Sequence, residues 1–211
     1  VPAYTTATYP DTVAAGDLVY ASAANTIAGL TIGQVGQGVR NIGGFPTWTN
    51  LYEQLFQPMA AKLPATNPAQ IDGSGANYFV LLFDQTTAES VIWQSVMPAT
   101  YNSSVALTVE VAYNTAAIAN VVIFRARIAK TTPDGAGENP QTATFSAYST
   151  GSDTVPGTTN FLDKVSITIG TGDDDAVAIG DNFAIQFERD AANAGDTLAA
   201  DARVFSVRLK Q

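Results

Sequence analysis

The stretch from residue 180 to 209 constrains the fold of this chain most. After the turn dipeptide Gly180-Asp181, Phe183, Ile185 and Phe187 point to one side while Ala184, Gln186 and Glu188 point to the other. A period of two is what a strand with one buried face requires. A loop from 189 to 200 carries Asp190, Asn193, Gly195 and Asp196, and Asp201 then leads into a second alternating run. There Phe205, Val207 and Leu209 are expected to face inward, with Arg203, Ser206 and Arg208 at the surface. Two strands of this quality, joined by a polar loop, imply an antiparallel β domain.

Strand-like runs recur upstream at 77–83, 91–97, 105–113, 121–130, 143–149 and 164–170. The clearest places Val105, Leu107, Val109, Val111 and Tyr113 on one face and Thr108 and Glu110 on the other. Val165, Ile167 and Ile169 repeat the pattern, whereas 77–83 is apolar on both faces. With the two last strands these runs predict an all-β, eight-stranded, jelly-roll-like antiparallel β-sandwich over 76–211. Pro64, Pro68, Gly73 and Gly75 mark 63–75 as a linker. Residues 1–62 form an extended N-terminal arm of short β pieces, closing on one short helix. That helix is expected over 50–62, capped by Asn50 with Glu53 three residues on, with Tyr52, Leu55, Phe56 and Met59 on one face and Pro58 limiting its length.

Composition narrows the chemistry. Only 14% of the 211 residues are charged, and the formal net charge is −9. A surface so poor in charge suits a chain packed against copies of itself. The negative balance argues against nucleic acid, which needs clustered Lys and Arg; only Arg125, Arg127 and Lys130 come close together. The absence of Cys and His removes disulfides, the usual zinc sites and every Ser-His or Cys-His nucleophile pair. The amino-terminal stretch has no basic region followed by an apolar core, and 18–39 holds too many Gly and polar residues to span a membrane. No membrane partner, no export and no cofactor are therefore expected.

What remains is carboxylate chemistry. Asp190, Asp196 and Asp201 share one loop, and Asp173, Asp174 and Asp175 form a tighter cluster. Glycoside hydrolysis needs two acids about 5–9.5 Å apart. Structural duties account for them better: Arg189 pairing with a loop acid, Asp196-Thr197 making a turn, Asp201 capping the final strand. Asp173, Asp174, Asp175, Asp190 and Asp196 are weak metal candidates, and no catalytic residue is assigned. Trp48, Trp93, Tyr101 and Tyr148 are the aromatic planes available to a sugar, although Trp93, mid-strand, is expected in the core.

One segment carries a resemblance. It reads Gly16-Asp17-Leu18-Val19-Tyr20, then Asn25-Thr26-Ile27-Ala28-Gly29-Leu30-Thr31-Ile32-Gly33, and ends on Gly43-Gly44-Phe45-Pro46-Thr47-Trp48. This resembles a segment of tailed-bacteriophage fibre and virion surface proteins that links an anchoring end to a carboxy-terminal domain, usually in trimers. It departs from the usual form at 38–41, where an apolar β piece is more common, so the wrap is expected to open there. Further on, Trp93 with Pro98 and Tyr101, Gly180-Asp181, Arg189-Asp190, Asp196-Thr197 and Asp201-Ala202 resemble a jelly-roll domain of phage virion proteins. The resemblance implies a non-enzymatic virion structural protein made in the bacterial cytoplasm. Its size and arm point to a capsid decoration (cement) protein on the outer capsid surface. It would form a homotrimer and bind the major capsid protein shell through the arm, whose short β pieces are expected to lack partners within one chain. The side chains expected to make those contacts are Tyr4, Tyr9, Leu18, Tyr20, Ile27, Leu30, Ile32, Phe45, Trp48, Leu55 and Phe56. The alternative is a tail-fibre or receptor-binding tip that recognises a host surface polysaccharide.

Overall fold

The computed structural model describes residues 14–23, 26–34, 37–50, 52–73, 77–134 and 138–211, so Tyr4 and Tyr9 lie outside the described residues. The chain divides into two compact units, Val1–Leu51 and Tyr52–Gln211. The second is a β-sandwich. Its long strands are β7 (Val80–Phe83), β8 (Glu89–Val96), β9 (Leu107–Thr115), β10 (Val121–Thr131), β11 (Ser149–Thr154), β12 (Asp163–Ile169), β13 (Asn182–Arg189) and β14 (Ala202–Lys210). One sheet runs β12-β9-β14-β7 and the other β11-β10-β13-β8, all pairs antiparallel. Successive strands cross between the layers except at the β10–β11 hairpin. That order is two interlocked Greek keys, a jelly roll.

The core lies between the layers. Val109, Val111 and Tyr113 from β9, Ile167 and Ile169 from β12, and Phe124 and Ile128 from β10 are fully buried, as are Ile185 and Phe187 from β13. At the centre the Phe187 ring stacks on Phe124 (centroids 5.2 Å apart) and meets Phe83 of the opposite sheet edge-on at 5.5 Å. One side of the sandwich is drawn tight where β11 passes β12. A Cβ on Gly151 would stand 2.6 Å from the Ser166 carbonyl oxygen, so only glycine lets the two strands lie that close.

Four expectations for the second unit need correction. First, Phe205 does not face the core. The register of β14 against β9 shifts between Val204 and Ser206, a β-bulge. Without it, Ala202 and Val204 would face opposite to Val207 and Leu209; with it, all four are buried. Phe205 is pushed to the outer side, edge-on to Tyr78 at 6.0 Å. Second, 50–62 is not a helix. Glu53–Phe56 forms strand β5, paired with Val207–Lys210, and only a single 3-10 turn follows at Pro58–Ala60. Beyond the bulge, β14 needs a partner for its second edge, because β7 covers only Ala202–Val204. An extended β5 supplies it and also sends Tyr52 and Phe56 inward together.

Third, 63–75 is not an unstructured linker. Gln70–Asp72 is strand β6 on β7, and Lys62 and Asn67–Ala69 bond to Ser90 and Ile92 on the edge of β8. The sandwich therefore begins at Tyr52 rather than at 76, with β5 and β6 added to the eight jelly-roll strands β7–β14. Fourth, 143–149 is not a strand. It runs beside β10, tied by the Ser146 amide donating to the Ile128 carbonyl (2.8 Å), and β11 starts only at Ser149.

The first unit holds two hairpins, β1 (Leu18–Ala23) with β2 (Thr26–Leu30) and β3 (Gln37–Ile42) with β4 (Phe45–Asn50). Its short β pieces thus do find partners within one chain, against expectation, because tight turns bring neighbours together. Gly43 and Gly44, both at positive φ (62° and 91°), form the two-residue turn that closes β3 on β4. Pairing is continuous through 38–41, so the ladder does not open there. The Trp48 indole nitrogen donates to the Thr31 carbonyl at 2.6 Å, and its ring covers Gly33 so closely that a Cβ there would stand 2.4 Å away. Asp17 accepts from the amides of Ala14 and Ile32. Among the described residues each sheet nevertheless has two strands.

Candidate functional site

The acids of the 189–201 loop are committed to holding it in shape. Arg189, at the end of β13, is fully buried, and its side chain forks onto Asp196 with Nε–Oδ2 at 3.2 Å and Nη2–Oδ1 at 2.9 Å. Its remaining donors reach the carbonyls of Asp84, Leu198 and Ala200. Asp196 also accepts from the amides of Ile123 and Leu198. Asp190 takes Arg125 at 2.9 Å and Asn193 at 3.1 Å, and Asp201 accepts the Gln85 amide. The Arg189 pair and the Asp196 turn match the duties expected of the loop, whereas Asp201 holds the β7–β8 connection instead of capping its own strand; the carboxylates point to separate donors rather than to one centre.

The three consecutive acids diverge likewise. Asp174 is buried and accepts from the Tyr101 hydroxyl at 2.9 Å and from the Ala176 amide. Asp175 turns to the Lys130 amide at 2.8 Å, from a backbone at φ 58°. Asp173 is exposed. Among the described residues, no three acidic side chains converge as metal ligands would.

The aromatic residues are mostly spent inside. Trp93 is 2% exposed, stacked on Phe56 at 5.5 Å and bonded through its indole nitrogen to the Gln57 carbonyl. Tyr101 is buried too, which leaves Tyr148 and Trp48 half-exposed. The Tyr148 ring is taken up by two cations: the guanidinium carbons of Arg125 and Arg127 each lie 4.2 Å from its centre. Its hydroxyl donates to Glu188 at 2.6 Å, and Glu188 also takes Arg125. Burial, with Glu188 accepting the proton, pushes the Tyr148 hydroxyl up to about 12.

No family model matches this chain. Nor does any curated protein. Among solved structures it is similar to a family 35 carbohydrate binding module from an environmental isolate, at 13% identity over 75% of this chain and 93% of that one, with a TM-score of 0.41. A second is the CBM22-2 xylan-binding domain from Paenibacillus barcinonensis Xyn10C, at 10% identity over 75% and 98%, with a TM-score of 0.43. A third is the CBM36-1 domain of a multidomain xylanase from the hindgut metagenome of Trinervitermes trinervoides, at 9% identity over 75% and 96%, with a TM-score of 0.40. At these scores the likeness carries no argument about what the chain binds.

The expected contact residues separate into two groups. Leu18, Ile32 and Phe45 are exposed at 44%, 60% and 48%, and Leu55 stands out from β5. Tyr20, Ile27, Leu30 and Trp48 are half-buried within the first unit. Phe56 is withdrawn: it belongs to the sandwich core, because β5 replaces the expected helix. Sequence reasoning missed the polar cluster of Arg125, Arg127, Tyr148 and Glu188 on the outer face of the β10–β13 ladder. The adjacency of Arg125 and Arg127 at a spacing of two was its only local sign.

A second carboxylate grouping joins the two sheets. Asp153 of β11 accepts the Tyr113 hydroxyl at 2.9 Å. Burial holds its carboxyl above the ordinary aspartate range; the Tyr113 bond pulls the other way, and the charge of Asp163 on β12 adds to the rise. A raised folded-state value contributes stability that is full below the unfolded aspartate pKa of about 3.9 and is lost as pH rises through the folded value. At neutral pH the ionised Asp153 therefore costs stability. Asp153→Asn, which still accepts from Tyr113, is expected to stabilise the sandwich at pH 7, with the advantage shrinking toward pH 4. Urea midpoints of both proteins across that range test it; a constant difference would refute it.

Proposed function

We propose that this chain is a non-enzymatic structural component of a tailed-bacteriophage virion, a capsid decoration (cement) protein that forms a homotrimer. In this reading it sits on the outer capsid surface and grips the major capsid protein shell through its first unit, while the jelly roll forms the projecting head. The observation that carries it is the surface of that first unit. Leu18, Val19, Ile32, Val39, Ile42 and Phe45 are all exposed on or beside two-stranded sheets. A hairpin pair of this size is marginal alone, and apolar side chains so exposed gain about 25 cal/mol per Å² when another chain covers them. The segment from Gly16 to Trp48 that resembles virion proteins is the same segment that carries them. The fibre-tip reading is favoured less, since Trp93 and Tyr101 are buried and the Tyr148 ring is engaged by Arg125 and Arg127.

Removing residues 1–51 tests the proposal. The remaining Tyr52–Gln211 unit contains all the sandwich strands and is expected to keep its melting temperature while losing the trimer and attachment to particles. Truncated protein that still coats particles at full occupancy would overturn the reading.

A further inference from the structure

The outer face of the four-stranded sheet carries a groove that neither the core nor the loop bonding accounts for. Register places Thr131, Asn182 and Val96 side by side on β10, β13 and β8, and in the next outward row Ala129, Ala184 and Gln94. Pro140 and Ala143, from the segment beside β10, form one wall, and the enclosed volume is about 420 Å³. Small side chains make the depression: where Arg125 and Arg127 fill the same face further along, Ala129 and Ala184 leave a floor. Three strands at about 4.8 Å spacing and two outward rows about 7 Å apart give a footprint of roughly 10 by 7 Å.

Three features define what fits. No ionisable side chain lines the groove, although the chain carries a net charge of −9. The ligand is therefore uncharged; a cation has no carboxylate here and an anion has no base. The side chains of Gln94, Thr131 and Asn182 make no hydrogen bond to any described residue, while the polar groups a few residues along the same ladder (Arg125, Arg127, Gln186, Glu188) are paired. Two amides and a hydroxyl standing free around the rim offer both donors and acceptors. A purely apolar occupant would strip their water without replacing it. Between them Val96, Ala129, Ala184 and Pro140 supply an apolar floor and wall for C–H groups.

We infer that this groove binds a single uncharged, hydroxyl-rich ring: one neutral sugar residue, with Asn182 and Gln94 reading its hydroxyls and the alanine floor receiving its C–H face. At about 420 Å³ it lies near the low end of small-molecule pockets, which run from about 300 to 1,000 Å³, so it takes one ring rather than a chain. Phe183, the aromatic residue in the lining, is buried in the core and offers no exposed platform, so binding at one site is weak, with a Kd on the order of 1–10 mM. The inference does not depend on the decoration reading, because the groove lies wholly within the Tyr52–Gln211 unit.

The test is a titration of the isotope-labelled full chain with glucose, galactose, mannose and N-acetylglucosamine in turn, followed by amide NMR shifts. At least one sugar is expected to give saturable shifts centred on Gln94, Thr131, Asn182 and Ala184. In Asn182→Ala and in Gln94→Ala, both at exposed positions, the same sugar should bind roughly tenfold more weakly while the rest of the spectrum is unchanged. Glycerol at equal concentration should produce no saturable shift. Absence of saturation with all four sugars overturns the inference, and so do shifts centred elsewhere or binding that both variants leave intact.

Discussion

Arg189→Met is expected to lower the stability of the sandwich by about 3–5 kcal/mol, the range for breaking one partner out of a buried ion pair. In a unit of this size that corresponds to a fall in melting temperature of roughly 10 °C or more. The reason lies in what the guanidinium leaves behind. Asp196 would remain buried without its cation, and the carbonyls of Asp84, Leu198 and Ala200 would each lose a donor. Those groups lie in the β7–β8 connection and in the later half of the 189–201 loop, so the damage reaches both segments and the end of β13 that carries Arg189. For the same reason an apolar double replacement of Arg189 and Asp196 is not expected to recover stability, because the carbonyls stay unpaired. Equilibrium urea unfolding settles it: a loss below about 1 kcal/mol for the single variant would mean that water satisfies the site.

The second large effect is at Phe187. Its ring contacts Phe124 on its own sheet, Phe83 on the other, and Trp93 at 6.5 Å, so it stands where both layers meet. Phe187→Ala should cost about 3–5 kcal/mol, combining lost burial with a cavity that rigid neighbours cannot close. Phe145 is the internal control. It is half-buried, lies 5.0 Å from the Arg127 guanidinium and contributes nothing to the core, so Phe145→Ala should cost under about 1 kcal/mol. Similar losses for the two variants would contradict the assignment of the core to the Phe83–Phe124–Phe187 cluster.

Much of this fold could be read from the chain because alternation is a local signal. Val109, Val111, Ile167, Ile185 and Phe187 declare their side of the sheet by their immediate neighbours, and they are buried as read. Misreadings cluster where the deciding partner is far away in sequence. Glu53–Phe56 has a helical apolar spacing, but its conformation is set by the unpaired edge of a strand some 150 residues later. The bulge at Phe205 has no signature in β14 itself; it appears only once Ala202 and Leu209 are asked to share a core. The acids behaved differently. Arg189 and Asp196 are seven residues apart, so their pairing was legible, whereas the links of Tyr101 to Asp174 and of Arg125 to Glu188 depend on the jelly-roll crossing. The groove was invisible for a simpler reason: alanines announce nothing until their neighbours across a sheet are known.

The four-pair ladder between β5 and β14 has a mechanical consequence. Residues before Tyr52 connect covalently to the sandwich through β5, and Glu53, the first residue of β5, is held against Lys210 of β14. Tension arriving from that side must therefore first peel a short strand from the terminal one. Resistance would next come from Trp93 gripping the Gln57 carbonyl, and then from the Lys62–Ile92 bonds. Under such a pull the sandwich would yield in steps, giving up Tyr52 and Phe56 with β5 before the Phe83–Phe124–Phe187 centre opens.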